Sequence, residues 1–333
     1  MPVILGIESS CDETSAAICA DGVMLSNIIA NQTIHEAYGG VVPELASRVH
    51  QQNIIPAVQQ TIFNAKINKN DIDAVAFTRG PGLLGSLLVG VSFAKAFALA
   101  KNLPLIDINH MQAHVLAHFI DEPKPAFPFL CLTVSGGHTQ IVLVKNYFDM
   151  EIIGHTQDDA AGEAMDKTSK ILGLPYPGGP LIDKYARQGN SKAFSFPEPQ
   201  IPGYNFSFSG LKTSILYFIQ KNVAQNPNFI QDNLADICAS VEHRIVTILL
   251  RKLTQAAQAY GITEVALAGG VSANTGLRQG LQQLGEKMGW RTFIPKMEYC
   301  TDNAAMIAIA GYYKFLQGDF TDQHVAPLAR MPF

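Results

Sequence analysis

Apolar strand-like runs and helical periods alternate along the chain. Val3-Ile4-Leu5-Gly6-Ile7-Glu8 is an almost continuous apolar run, the pattern of a strand covered on both faces. It passes through the polar turn Ser9-Ser10-Cys11-Asp12-Glu13-Thr14 into a second strand, Ser15 to Cys19. Phe129 to Val134 repeats the plan, followed by Ser135-Gly136-Gly137-His138-Thr139 and a strand from Gln140 to Val144. A shift of 125 residues (135 − 10) superposes Ser10 on Ser135 and Thr14 on Thr139. Behind each hairpin lies a weaker echo: Asp71 to Phe77 enters the turn Arg79-Gly80-Pro81-Gly82, and Glu264 to Ala268 enters Gly269-Gly270-Val271-Ser272. Both read as a buried strand, a glycine turn and a helix. Helical periodicity is expected over 44–66, 84–101, 110–119, 159–172, 207–222, 232–260, 274–288 and 303–317.

The pattern predicts an α/β chain of two hairpin-led, duplicated lobes with a cleft between them. The first lobe would span 1–125 and be completed by the C-terminal helix, about 304–333; the second would span 126–303, with an inserted helical segment at about 146–225. A length of 333 residues suits two such lobes. Backbone N–H groups in glycine or serine turns, and at the helix starts beyond them, suit phosphate. One such turn commonly just closes a βα unit; the pairing of two points to a nucleotide.

Composition narrows the partners. With 24 Lys and Arg against 28 Asp and Glu the net charge is −4, and charged residues make up only 16% of the chain. This excludes a disordered chain and a nucleic-acid binder that works by bulk positive charge. The most apolar stretch, Leu83 to Ala100, contains Gly85, Ser86, Ser92 and Lys95 and reads as a buried helix, so no membrane association is expected. No signal or transit peptide is evident, and the five cysteines form no CxxC pair; a cytoplasmic protein with reduced thiols is the expectation.

His110-Met111-Gln112-Ala113-His114 puts two imidazoles one helical turn apart, the spacing for a shared metal ion, with His118 a further turn on. In isolation such histidines are more often polar or capping residues. A zinc protease would need glutamate where Met111 stands. Tyr299-Cys300-Thr301-Asp302-Asn303 offers a carboxylate, although an aspartate before a helix is ordinarily its N-cap, and Cys300 is a softer candidate. Asp159, Glu163 and Asp166 form an acidic stripe suited either to solvent or to ribose hydroxyls, and Tyr176-Pro177-Gly178-Gly179-Pro180 is a turn that admits close backbone approach.

Together these motifs resemble the TsaD-type tRNA threonylcarbamoyltransferases, once catalogued as glycoproteases. The matching segments are ILGIESSCDET (4–14), YGGVVPELASR (38–48), GPGLLGSLLVG (80–90), HMQAH (110–114), VSGGHTQ (134–140), DDAAGEAMDK (158–167), YPGGP (176–180), FSFSGLKT (206–213), AGGVSAN (268–274) and CTDNAAMIA (300–308), in order over nearly the whole chain. The resemblance implies the two-lobed, duplicated fold of actin, sugar kinases and the Hsp70 ATPase. It implies transfer of the threonylcarbamoyl group of threonylcarbamoyl-adenylate to N6 of the adenosine 3′ to the anticodon, in tRNAs reading codons that begin with A, with release of AMP.

Carried over by motif, His110, His114 and Asp302 would hold one divalent metal, iron in the first place or zinc. Thr133, Val134, Ser135, Gly136, Gly137, Asp166, Gly179, Asp183 and Asn274 would contact the adenylate; Thr133 departs from the aliphatic residue frequent in relatives, as Asn109 departs from a further histidine. Because the anhydride under attack is already activated, no covalent nucleophile is required. Asp12, Glu13 and His138 are the candidates for taking the amine's proton or orienting it, unranked. The acidic balance suggests that tRNA is held with help, which the family supplies as a TsaD-like paralogue and a small P-loop ATPase. An ATPase or sugar kinase of the same fold would not need the three metal ligands, and non-catalytic paralogues lack the histidines kept here.

Overall fold

The computed structural model describes all 333 residues apart from the side chains of Thr33 and Glu36. The chain divides into two units, Met1–Lys124 with Pro295–Phe333, and Pro125–Ile294.

The first unit contains β1 (Val3–Glu8), β2 (Thr14–Ala20), β3 (Val23–Ala30), β4 (Ala74–Gly80) and β5 (Leu105–Asn109), with helices α1 (Pro43–Ala65), α2 (Leu84–Lys101) and α3 (His110–Leu116). Its sheet runs β3-β2-β1-β4-β5. β1 pairs antiparallel with β2 and parallel with β4, which pairs parallel with β5. Strand alternation sends Leu5 and Ile7 into a core with Ile54, Val58 and Val91 of α1 and α2. By length and composition α2 is the one helix among the described residues that reaches membrane-crossing apolarity. Ser86, Leu87, Gly90, Val91, Ala94 and Ala98 on it are buried within the unit, as the small residues in its sequence suggest.

The second unit contains β6 (Phe129–Val134), β7 (Thr139–Val144), β8 (Met150–His155), β9 (Glu264–Ala268) and β10 (Arg291–Phe293). Its helices are α4 (Ala161–Ile171), α5 (Gly179–Ala186), α6 (Ser209–Val223), α7 (Phe229–Tyr260) and α8 (Thr275–Met288). The sheet order β10-β9-β6-β7-β8 is the first sheet's order in reverse listing, with the same parallel and antiparallel pairings. Glu8 faces Ser15 in the first hairpin and Thr133 faces Gln140 in the second, each 125 residues on (133 − 8, 140 − 15). The duplication is thus a structural fact, down to strand register. The segment 146–225 is not helical throughout. β8 opens it as an edge strand with Glu151 and Ile152 exposed, so it lacks the apolar run that marked the inner strands. The Tyr176–Pro180 turn also ends in a helix, with Pro180 in the first turn of α5, where its missing N–H costs nothing.

The last helix, α9 (Ala304–Gln317), returns to the first unit, and its residues Ala304 to Gly311 are all buried. It packs on β1 at Gly6, where a Cβ would lie 2.6 Å from the Ala304 carbonyl and 2.7 Å from the Ala308 nitrogen. That close approach needs glycine and brings residues 295–303, including Asp302, into the unit that holds α3. The tail beyond α9 straps the same edge. Leu328 N–H donates to the Arg79 carbonyl (2.8 Å), Gly82 N–H to Ala329 (3.2 Å) and Asn109 Nδ2 to the Pro332 carbonyl (2.7 Å).

Candidate functional site

The first unit gathers its polar residues where β1 and β5 end. Asn109 ends β5 and caps α3, its Oδ1 accepting from the N–H groups of Met111 (2.9 Å) and Gln112 (3.2 Å). Position 109 therefore serves the helix that carries the histidines. His110 and His114 stack edge to face with ring centroids 4.7 Å apart. Asp302 Oδ1 lies 3.4 Å from His110 Nε2 and 3.1 Å from His114 Nε2. Asp302 is not the cap of α9; Asn303 is, accepting from Met306 N–H at 3.1 Å. Cys300 stands outside the cluster, its Sγ donating to the Lys296 carbonyl at 3.4 Å. His118 lies buried in the short turn after α3, outside the triad.

A residue that sequence reasoning passed over organises this cluster. Glu8, at the end of β1, is fully buried, and its Oε2 lies 3.1 Å from His110 Nδ1. The same carboxylate accepts from the Thr78 hydroxyl and the Ser10 N–H, both at 2.5 Å. Burial and the Asp302 charge would raise its pKa, but His110 first and then the Ser10 hydrogen bond outweigh them and hold it below the ordinary value. An ionised carboxylate only accepts, so the His110 proton belongs on Nδ1. A neutral His110 then turns a lone pair at Nε2 toward Asp302. Two acceptors 3.4 Å apart need a proton or a cation between them.

A second proton on His110 would meet that need. Burial opposes it, but the charges of Asp302 and Glu8 push the His110 pKa well above its ordinary value, while Asp302 is held far below the carboxylate range, mainly by His110 once burial is overcome. The three ligand atoms lie within 4.8 Å of one another. Nitrogen and oxygen ligands about 2.0–2.2 Å from a tetrahedral ion lie roughly 3.3–3.6 Å apart, close to the two distances from Asp302 Oδ1 to the imidazoles. His114 Nδ1 is buried and has no hydrogen-bond partner among the described residues. Two imidazoles and a carboxylate suit iron or zinc.

Asp12 and Glu13 are half-buried in the β1–β2 turn of this unit. Burial, then the charges of Asp302 and Asp12, raise the Glu13 pKa well above its ordinary value. Burial likewise raises the Cys11 thiol pKa, which leaves no thiolate there.

The second unit builds a different site. Ser135 N–H donates to the His138 carbonyl (2.8 Å) and His138 N–H to Ser135 Oγ (3.0 Å), which closes a tight turn. Gly136 and Gly137 at its tip are exposed, with open space where each Cβ would be. Thr133 and Val134 lie inside β6, buried, with Thr133 paired to Gln140 and Ala268, so only the turn itself is presented. The acidic stripe divides. Lys167 pairs with Asp159 (2.8 Å) and Glu163 (2.9 Å), whereas Asp166 Oδ1 accepts from the N–H groups of Gly178 and Gly179, both at 2.9 Å.

Asp183 of α5 accepts from Thr275 N–H (2.8 Å) and Thr275 Oγ1 (3.1 Å) at the start of α8. Asn274 caps α8 through Oδ1, and its Nδ2 donates to Glu242 Oε1 at 2.5 Å and reaches Asp183 Oδ1 at 3.4 Å. The structure thus joins Asp183 with Asn274 and Asp166 with Gly179. Glu242, like Glu8, was missed; the available signal was a lone acid within an apolar stripe that includes Val241 and Ile245.

A family model described as TsaD, tRNA N6-adenosine threonylcarbamoyltransferase, matches residues 23–309. Proteins named tRNA N6-adenosine threonylcarbamoyltransferase are similar over nearly the whole length. The one from Cytophaga hutchinsonii is 61% identical over 98% of this chain and 96% of its own. That from Christiangramia forsetii is 61% identical over 99% and 98%, and that from Thermosipho africanus 49% over 96% of both. Among solved structures, full-length HypF in a phosphate- and nucleotide-bound form aligns with a TM-score of 0.63 at 12% identity, over 96% of this chain and 47% of that one. The activator of 2-hydroxyisocaproyl-CoA dehydratase from Clostridium difficile aligns with a TM-score of 0.51 at 12% identity, over 96% and 98%. At such identity these structures bear on the fold alone, which is that of the actin-like ATPases.

Proposed function

From this chain's membership of the tRNA N6-adenosine threonylcarbamoyltransferase family, to which it belongs over nearly its full length, we propose that it carries out one acyl transfer. The donor is threonylcarbamoyl-adenylate and the acceptor is N6 of the adenosine 3′ to the anticodon, in tRNAs reading codons that begin with A. The amine nitrogen bonds to the carbamoyl carbon, the bond from that carbon to the phosphate oxygen breaks, and AMP carries the electron pair away. The amine loses one proton in the exchange.

The second unit holds the adenylate. Gly136 and Gly137 offer outward backbone N–H groups to phosphate, and Thr133, Val134 and Ser135 supply the strand end and hydroxyl that shape the turn. Asp166 and Gly179, and Asp183 with Asn274, take the nucleoside. Carboxylates and a primary amide near a helix start suit ribose hydroxyls, which both donate and accept.

In the first unit His110, His114 and Asp302 hold the metal, iron in the first place or zinc. When bound, it supplies a Lewis acid and a template for substrate oxygens. Glu8 keeps the His110 ring turned and its Nδ1 protonated. Asp12, Glu13 and His138 are the groups proposed to take or steer the amine's proton.

The observation that carries the reading is the convergence of His110, His114 and Asp302 ligand atoms, an arrangement a kinase or a scaffold has no use for. Partners are part of the proposal. α1 exposes Ile55 and Phe63 on one face, and α2 exposes Leu84, Leu88 and Leu99. Side chains of this kind support a protein partner, such as the TsaD-like paralogue. The small P-loop ATPase and a cytoplasmic setting complete the proposal. The test is transfer from threonylcarbamoyl-adenylate to unmodified tRNA, with and without partner subunits, read as modified nucleoside by mass spectrometry. Wild type should form product, and His110→Ala should lose both product and retained metal. Normal turnover by His110→Ala would remove the metal from the mechanism.

A further inference from the structure

Resting on the reading that Asp183 and Asn274 hold the nucleoside of the adenylate, we propose that Glu242 is a positioning residue behind that pair, a carboxyl that holds a proton and braces both. Nucleoside affinity should fall as Glu242 loses that proton.

Three helices meet here. Asp183 comes from α5, Asn274 and Thr275 from the start of α8, and Glu242 is what α7 contributes. Asn274 is oriented from both ends, with its Oδ1 occupied by Leu277 N–H and its Nδ2 held by Glu242 Oε1. Asp183 is held by Thr275 and, at 3.5 Å, by Arg187. The other Glu242 oxygen faces the first turn of α8 at Gly276, where a Cβ would lie 2.7 Å from Oε2, so the approach depends on glycine. Glu242 is 8% exposed and borders a cavity of about 130 Å³, lined also by Ser191, His243 and Val246.

An ionised Glu242 would be poorly placed. The cation of the neighbourhood, Arg187, already pairs with Asp183, and the two carboxylates converge on one Asn274 amide. The groups that face Glu242 are Asp183 and Arg187 from α5, uncharged Asn274 and Gly276 from α8, and Cys238 and His243 from α7 itself. Burial first, and then the Asp183 charge and its hydrogen bond with the protonated carboxyl, lift the Glu242 pKa to about 7 against Asn274 and Arg187. Below that pH Glu242 carries no charge and neither ligand residue is repelled. Above it two negative charges share one donor, and their repulsion works against the hold of Asp183 and Asn274 on the nucleoside.

The test uses the full chain and two probes, adenosine and AMP, with affinity measured by calorimetry from about pH 5.5 to about pH 8.5. Adenosine does not titrate in this range, so its affinity reports the protein alone. For wild type we expect adenosine affinity to fall by about fivefold across the range, with a midpoint near neutrality. AMP should lose more at the alkaline end, since added negative charge also repels its phosphate. Glu242→Gln keeps the hydrogen bond to Asn274 without the titration and should make adenosine affinity independent of pH. A flat wild-type profile, which needs no variant, overturns the brace; so does a Glu242→Gln profile with the wild-type slope. Asn274→Ala and Asp183→Asn serve a separate purpose: if neither weakens adenosine at any pH, the nucleoside reading of this pair fails.

Discussion

The two hairpins share their register and differ in almost every residue that faces chemistry. Position by position, Glu8 corresponds to Thr133, Ser10 to Ser135, Cys11 and Asp12 to Gly136 and Gly137, and Glu13 to His138. The first turn is therefore lined with acids, and its strand ends in a buried carboxylate against the His110 imidazole. The second has lost every acid, and its tip is bare backbone. One geometry serves two kinds of ligand because a strand-turn-strand fixes where groups sit but not their sign of charge. Anionic oxygens attract cations, and exposed N–H groups attract phosphate. Duplication supplied the frame twice, and a few substitutions in each turn set its chemistry.

The difference extends beneath the turns. Gly6 in β1 meets the backbone of α9, while its counterpart in β6 is the buried Cys131. Installing the counterpart's side chain, Gly6→Cys, should give the largest effect, a loss of about 3 kcal/mol or more, because the obstructing atoms are helix backbone that cannot turn aside. Denaturant titration checks it, and an unchanged midpoint would mean that α9 rides freely on β1.

Next comes the buried acid. Glu8→Gln should weaken metal binding by about 10–100-fold through the tautomer and tilt of His110. Competition with a chelator measures this without reference to turnover, and unaltered affinity would free His110 from Glu8.

The smallest structural effect belongs to the second turn. Gly136→Ala meets nothing within 4 Å, so stability should change by less than about 0.5 kcal/mol. Adenylate affinity should nevertheless fall several-fold, because the methyl group stands where phosphate would approach. Equal affinity in the variant would move the phosphate elsewhere.

Several features were legible from residue order. The paired strands and the 125-residue echo follow from local pattern, since strand and helix periods are properties of neighbouring residues, whereas both histidines and the acid beside α9 were set together only by the family resemblance. Long helices such as α7 and α9 were visible because their apolar faces repeat over many turns. The edge strand β8 was not, because half of it faces solvent and its alternation is weak. The acidic stripe of α4 could not be divided in advance. Whether Asp159 or Asp166 is available depends on Lys167 for one and on Gly178 and Gly179 for the other.

The sequence by itself determined the class of fold, its duplication and the residue types proposed to meet a metal and a nucleotide. Only the tertiary structure decided which acids matter most. Glu8 lies 102 residues from His110, and Glu242 lies 32 from Asn274. In the chain neither stands out from its neighbours. Burial makes each consequential, because a carboxyl removed from water must find a donor, a cation or a proton, and the fold alone says which of these is within reach.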